Sequence, residues 1–405
     1  MADVSTGLIH HPYVPPEGFA APQPGVFKAS TVFFPTVAAM RSRQWKDKSA
    51  YTYGLHGTPT TYALEERLCT LEGGKHCLLV PSGLAAVALV AMSVLKAGDE
   101  VLIPDNAYGP NKAFAEGELL AWGITHQYYD PMDPQDLEAQ ISSRTKLVWL
   151  EAAGSVTLEF PDLVEQVRIC KRRGVLTALD NTWGAGLAFK PFDLLSGELP
   201  ALGVDITAHA LTKYPSGGGD VLMGSVITQD DALGLRIKNT HMRLGLGVGA
   251  NDAEAVLRAL PSIVLRYRAH DEATRSLARW AQSQPEFVQV LHPALLDSPG
   301  YAHWQALCEN GYGGAAGLFS VILDARFGSD QCDAFCDALK LFKLGYSWGG
   351  PISLVVPYDL LEMRQDWPAH LARGTVVRFS IGLENVQDLQ DDIAQALRVL
   401  RVLRT

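Results

Sequence analysis

The sequence predicts an α/β fold: a large, mostly parallel sheet covered by helices, followed by a smaller C-terminal α/β domain. Three observations carry this. First, short apolar runs (VLIPD, KLVWLEA, VLTALD and VDITAHA) alternate with helical or loop segments between residues 101 and 210, as strands buried on both faces do. Second, DLVEQVRICKRRG, residues 162–174, has the period of a crossover helix between two of those runs. Third, a long helix-forming stretch over 251–282 separates these runs from two later ones, GLFSVILD and TVVRFSIG.

Taken in order, residues 1–57 are rich in Pro, Gly, His and aromatics. They show no sustained helical period until VAAMRSRQWKD at 37–47. Residues 58–255 form the first large unit. TYALEERLCTLEGG is read as an amphipathic helix with Leu64, Leu68 and Leu71 on one face, closed by Gly73 and Gly74. CLLVPSG comes next as a strand and turn into the apolar helix LAAVALVAMSVLKAGD. Residues 256–405 form the smaller domain. Its last helix takes Asn385 as N-cap and buries Leu389, Ile393, Leu397 and Leu400, with acids leading and arginines closing it.

Composition narrows the function. The 405 residues carry a net charge of −10, with 47% hydrophobic and 19% charged residues. That is a globular balance, and an acidic one that disfavours a nucleic-acid partner. No apolar run approaches the roughly 18 residues of a membrane span. The N-terminal segment lacks the basic region and apolar core of a signal peptide, so a cytoplasmic location is expected. Six scattered cysteines, of which Cys332 and Cys336 lie four apart on a helix, have no further ligands in view. They are read as buried thiols, and no metal site is expected.

The chemistry centres on residues 177–220. Asp180 ends one apolar run and Lys213 comes after the next, and ligands of such sheets collect at the C-terminal ends of strands. An amine that can condense with an aldehyde and a carboxylate that can hold a ring nitrogen protonated are what pyridoxal phosphate (PLP) requires. A solvated turn is the alternative reading of that pair. Upstream, Val80-Pro81-Ser82-Gly83-Leu84 sits where a strand turns into a helix, a natural phosphate cup if it is not a plain turn. No Gly-Lys-Ser/Thr of a P-loop stands after it. A Gly-x-Gly-x-x-Gly after the first strand is also absent, which argues against a nicotinamide enzyme.

ALDNTWGAG at 178–186, with TKY at 212–214, resembles the core of the Cys/Met-metabolism (transsulfuration) family of PLP enzymes. The resemblance runs from about Gly25 to the C-terminus. It implies the aspartate-aminotransferase-like fold type I of PLP-dependent transferases, with a cofactor domain at 58–255 and a small domain at 256–405. Residues 1–57 would be an arm reaching over a neighbouring subunit, in a homo-oligomer, a dimer of dimers, whose active site is shared. It further implies that Lys213 carries PLP, that Asp180 faces the ring nitrogen and that Tyr108 stacks on the ring. Gly83 and Leu84 would bind the phosphate through their main chain, Thr212 through its hydroxyl, and Tyr53 across the subunit interface. Arg378, with Ser347, would take the α-carboxylate of an amino-acid substrate; an internal ion pair is the other reading of a lone arginine among Val376, Val377 and Phe379.

The run Tyr346-Ser347-Trp348-Gly349-Gly350 is similar to that of members acting by β-elimination on L-cystathionine and related cysteine S-conjugates, which release homocysteine, pyruvate and ammonia. Its aromatics are read as substrate-binding, with core packing as the alternative. Three departures from the family pattern stand out. Leu55 replaces an arginine in Tyr-x-Arg, with His56 beside it; Ala210 replaces a serine; and Ala152-Ala153 replaces Ser-Pro. A cysteine desulfhydrase, γ-lyase or sulfhydrylase of the same fold stays open, as does a PLP-binding relative of weakened activity.

Overall fold

A computed structural model describes residues 3–10, 24–197, 200–309 and 314–402; part of the expected arm, 11–23, lies outside them. Seven strands form the large sheet: β1 His76–Val80, β2 Glu100–Pro104, β3 Thr125–Tyr129, β4 Thr145–Glu151, β5 Leu176–Asp180, β6 Ile206–Ala210 and β7 Gly224–Thr228. Their order is β1-β7-β6-β5-β4-β2-β3. The pairs from β6 through β3 are parallel, while β7 runs antiparallel to both β6 and β1. The largely parallel sheet is as the apolar runs predict. β3 and β7 are not legible in the sequence: THQYY is half-exposed, and GSVIT comes after a glycine-rich loop.

Both faces of this sheet are covered. One face carries Leu64, Leu68, Leu71, Val148, Leu150 and Leu179; the other carries Val80, Val87, Val90, Ala178 and Ala208. The helix Pro59–Glu72 buries the three expected leucines, but Glu65, Arg67 and Glu72 are buried too. It is an enclosed helix rather than one with a wet face. Within the expected 37–47, only Val37–Arg41 is helical. A short helix, Val4–Ile9, packs Leu8 into the chain's own large-domain core.

The small sheet comprises β8 Phe287–Leu291, β9 Leu318–Leu323, β10 Lys343–Leu344, β11 Leu354–Tyr358 and β12 Val376–Ser380, in the order β10-β11-β12-β9-β8. All its pairs are antiparallel except β10 with β11. Alternation along β12 sets the direction of its arginine. Val377 and Phe379 enter the core under the helices Ser329–Asp337 and Val386–Val402. Val376 packs on the other side, where Ile322 meets Val156 of the large domain. Arg378 shares the parity of Val376 and so faces the large domain.

The final helix is as predicted. Asn385 Oδ1 accepts from the N–H groups of Gln387 (2.9 Å) and Asp388 (3.4 Å), and its leucine–isoleucine stripe is fully buried. All six cysteines are free and buried. The two cores meet along the helix Ile263–Ala281. Ile263, Val264 and Tyr267 belong to the large core, and Leu277, Ala278 and Ala281 to the small one. The helix Ala250–Ala259 buries Ala253, Val256 and Leu257 in the large core. Among the described residues no helix is long and apolar enough to cross a membrane, and no group of three or more His, Cys, Asp or Glu could hold a metal.

Candidate active site

A cavity of about 170 Å³ opens where the C-terminal ends of β4, β5 and β6 meet the small domain. Ser82, Gly83, Tyr108, Glu151, Asp180, Lys213, Trp348 and Arg378 all line it. Residues far apart in the chain thus converge at the C-terminal ends of these strands.

At one wall, Ser82 caps the helix Gly83–Val94 by accepting from Ala85 N–H at 3.0 Å. The first-turn N–H groups have no carbonyl behind them, and the helix dipole adds positive potential there. A Cβ on Gly83 would lie 2.7 Å from the Cβ of Ala210. The glycine and the alanine that replaces the family's serine thus pack against each other. Thr212 also lines the cavity, but its hydroxyl is engaged with Met223, donating to the carbonyl (3.3 Å) and accepting from the N–H (3.2 Å).

On the floor, Asp180 Oδ1 accepts from Thr182 N–H at 3.0 Å. Beside it in register is Glu151, which the sequence alone does not single out as a site residue. Glu151 accepts from Tyr108 N–H (2.8 Å) and from the Ser155 hydroxyl (2.6 Å). Burial raises the pKa of both carboxyls, and the charge of Asp180 pushes Glu151 up further. Glu151 holds its proton more readily than an ordinary carboxylic acid, leaving Asp180 as the anion. The bond to Tyr108 N–H also fixes the loop that carries the Tyr108 ring over the cavity. The Ala152–Ala153 peptide between Glu151 and Gly154 is cis.

Lys213 donates to Ser347 Oγ at 2.9 Å, and its amine lies 4.5 Å from the centroid of the Trp348 ring. Desolvation, then the nearby Arg378 cation, brings its pKa down to about 8, against the opposing pull of Asp180. The adjoining Tyr214 is fully buried, and its hydroxyl accepts from Gly317 N–H at 2.7 Å. The turn carrying the amine is therefore locked. Gly349, at φ +75°, lies so close that a Cβ there would be 2.8 Å from Tyr214 N. Only a glycine lets the Ser347–Trp348 segment approach the lysine this closely.

Arg378 is 6% exposed, and its Nε has no hydrogen-bond partner among the described residues. Its guanidinium sits 5.3 Å from the ring centroids of both Trp348 and Tyr358. Burial lowers its pKa. No carboxylate among the described residues pairs with it, and a cation this deep suits an incoming anion.

Two predicted residues lie elsewhere within the single chain. Tyr346 is 82% exposed, with its ring 6.4 Å from that of Tyr358, and does not line the cavity. Tyr53 is about half exposed and meets His56 edge-on. His56 is stacked on Trp45 and shares a 2.8 Å hydrogen bond with Thr52. Leu55 lines a separate small hollow with Leu78, Leu246 and Lys238.

Known proteins resemble this chain along nearly its whole length. The family described as Cys/Met metabolism PLP-dependent enzyme matches residues 5–398. A cystathionine beta-lyase of Bordetella avium is 35% identical over 392 residues, 95% of this chain and 94% of its own. An L-alanine/L-glutamate racemase of Wolbachia pipientis wMel is 32% identical over 392 residues, 94% of each chain. The crystal structure of metB from Corynebacterium glutamicum superposes with a TM-score of 0.87 at 26% identity, covering 99% of both chains.

Proposed function

The chain belongs to the Cys/Met-metabolism family of PLP-dependent enzymes, and from that premise we propose that it is a carbon–sulfur β-lyase converting L-cystathionine and water to homocysteine, pyruvate and ammonia. The observation that carries this is the convergence in one cavity of a desolvated Lys213 and a buried Arg378 that has no carboxylate partner among the described residues. The first can take an amino-acid carboxylate, and the second can take the proton from Cα. The likeness to a named cystathionine beta-lyase along nearly the whole chain supports the same substrate.

The residues present fit PLP. Lys213 has no carboxylate ion pair among the described residues, Gly83 leaves room at a helix N-terminus for a phosphate, and Asp180 offers a buried acid for the ring nitrogen. Bound there, PLP supplies an electron sink for the charge left on Cα. The chain supplies the rest. Lys213 would hold the cofactor and, once released by the incoming amino group, act as base at Cα; its lowered pKa suits that task. Asp180 would keep the ring nitrogen protonated. Tyr108, fixed through Glu151, would cover the ring, and Gly83, Leu84 and Thr212 would line the phosphate site. Arg378, with Ser347 and Trp348, would orient the α-carboxylate. Loss of the Cα proton and departure of the Cβ thiolate leave a three-carbon enamine, which water converts to pyruvate and ammonia.

A cytoplasmic homotetramer, built as a dimer of dimers, is the assembly we favour. Leu222 lines the cavity while 72% exposed, and Phe33 is 93% exposed, as residues awaiting a second copy would be. The arm, Tyr53 and Tyr346 would then act from or against the neighbour. The likeness to a racemase favours a second reading, Cα proton return without loss from Cβ. Product analysis separates these. Pyruvate with homocysteine from L-cystathionine supports β-elimination; 2-oxobutyrate with cysteine indicates a γ-lyase; D-alanine from L-alanine, with no pyruvate from cystathionine, indicates a racemase.

A further inference from the structure

Away from the cavity, one buried arginine joins the two domains. Arg364 lies between β11 and β12 of the small domain and is 8% exposed. Its Nε donates to Asp105 Oδ2 at 2.9 Å and its Nη1 to Glu159 Oε2 at 2.8 Å. Both acceptors belong to the large domain, and each anchors a different wall of the cavity. Asp105 directly adjoins the end of β2 and stands three residues before Tyr108. Glu159 is fully buried and ends the segment that begins at Glu151. The two walls are also tied to each other: Asn106 Nδ2 donates to Glu159 at 2.9 Å, and Ser155 N–H donates to the Asn106 carbonyl at 2.9 Å.

A buried ion pair adds little net stability over an apolar replacement, because desolvation offsets its attraction. What a planar guanidinium adds is geometry: two donors at a fixed angle hold two carboxylates at a fixed separation. The small-domain chain that carries Arg364 runs on to Arg378 at the centre of β12. The same arginine therefore stands between the segments that hold Tyr108 and Glu151 and the strand that presents the carboxylate site.

We infer that Arg364 is a positioning residue that sets the distance between Arg378 and the ring site under Tyr108, and thereby the preference for α-amino acids over amines lacking the carboxylate. This rests on the reading of the cavity as a PLP site whose Arg378 takes that carboxylate. Arg364 touches neither substrate nor cofactor. Its loss would leave the amine, the ring acid and the phosphate cup in place while letting the two domains settle at another separation, so carboxylate recognition alone should suffer.

The test uses the holoenzyme and three variants: Arg364→Lys, Arg364→Met, and the double variant Arg364→Met with Glu159→Gln, which does not strand the buried charge of Glu159. Each is titrated with glycine and with methylamine, its counterpart without a carboxylate, while the visible band of the bound cofactor is monitored. Glycine affinity should fall about tenfold or more, methylamine affinity should stay within about twofold, and lysine, with a single-point ammonium, should not restore glycine binding. A cofactor-bearing double variant that binds glycine as the parent does overturns the inference. Equal weakening toward both probes also overturns it, since the effect would then run through the cofactor. Should Arg364→Met not fold, the lysine and double variants decide. If the parent itself shows no spectral response to glycine, it is the reading of the site that fails.

Discussion

Lys213 and Arg378 share one aromatic ring. The amine lies 4.5 Å, and the guanidinium carbon 5.3 Å, from the centroid of Trp348. Burial first, and then repulsion from the neighbouring guanidinium, makes the lysine give up its proton more readily. Aromatic quadrupole attraction offsets part of that repulsion. The arrangement is costly without ligands, and on the proposed reading it would become favourable when an amino acid brings a carboxylate to Arg378 and the cofactor occupies Lys213.

Replacing Arg378 with methionine should therefore separate stability from function. The buried guanidinium has no anion among the described residues, so its removal should stabilise the ligand-free protein by about 1–3 kcal/mol. Loss of the bidentate carboxylate contact should lower kcat/KM by roughly 30- to 5,000-fold, the equivalent of about 2–5 kcal/mol. Denaturant melts and steady-state kinetics on one preparation check both halves. A destabilised variant with normal kinetics would point to a structural arginine.

The lowered pKa of Lys213 predicts how the apoprotein captures its cofactor. Only the neutral amine attacks the aldehyde. With a pKa of about 8, roughly one amine in ten is neutral at pH 7, against about one in 3,000 for an ordinary lysine. The rate of appearance of the visible band should climb between pH 7 and 8 and level off by about pH 9. A rate still rising in proportion to hydroxide at pH 10 contradicts the assignment. The linkage has a definite sign. The folded pKa lies below the ordinary lysine value of 10.5, so the unfolded chain binds more protons between these values, and this group makes the apoprotein more stable as pH rises from about 8 to 10.5. Lys213→Met should remove that rise.

Asp180→Asn keeps the shape of the side chain and removes the charge. Cofactor should still bind through Lys213, while turnover should fall by roughly 10²–10⁴-fold for want of a protonated ring nitrogen. The variant should also let the carboxyl of Glu151 titrate lower, because one of the two causes holding it up is the charge of Asp180. Infrared difference spectra of the carboxyl band check the second effect. A rate near that of the parent enzyme would remove Asp180 from the mechanism.

Much of this site is legible in the sequence. Asp180, Gly83 and Lys213 lie at or near the ends of apolar runs, where sites collect, but it is the resemblance of ALDNTWGAG and TKY to the family that singles them out from ordinary turns. Arg378 stands out because an arginine inside an apolar strand requires a partner. Glu151 does not, although its segment departs from the family pattern, since only the register of β4 against β5 sets it beside Asp180. The contacts of Arg364 with Asp105 and Glu159 span 259 and 205 positions, and no local period records such a meeting. β8 and β10 escape a sequence reading because they sit at the two edges of the small sheet, and β11, inside it, because its burial is mixed. Tyr53 and Tyr346 are expected at the site, and in one chain they face outward.

Leu55 tests the main departure from the family pattern. It lines a small hollow of mixed polarity with His56, Glu65 and Lys238. Leu55→Arg offers a forked, charged donor where relatives have one, and a charged hydrogen bond is worth about 1.5–3 kcal/mol. The dissociation constant for PLP should fall about tenfold or more, or the preference among cystathionine and other cysteine S-conjugates should shift. Equilibrium dialysis and substrate competition measure these. No change in either would deny the substitution a functional role.

The most direct measurement reduces the holoenzyme with borohydride, which fixes the cofactor to whichever amine holds it, and then maps the peptides by mass. The mass of the reduced cofactor should be found on Lys213 and on no other lysine. Attachment elsewhere, or none in protein purified with PLP present, contradicts the account at its centre.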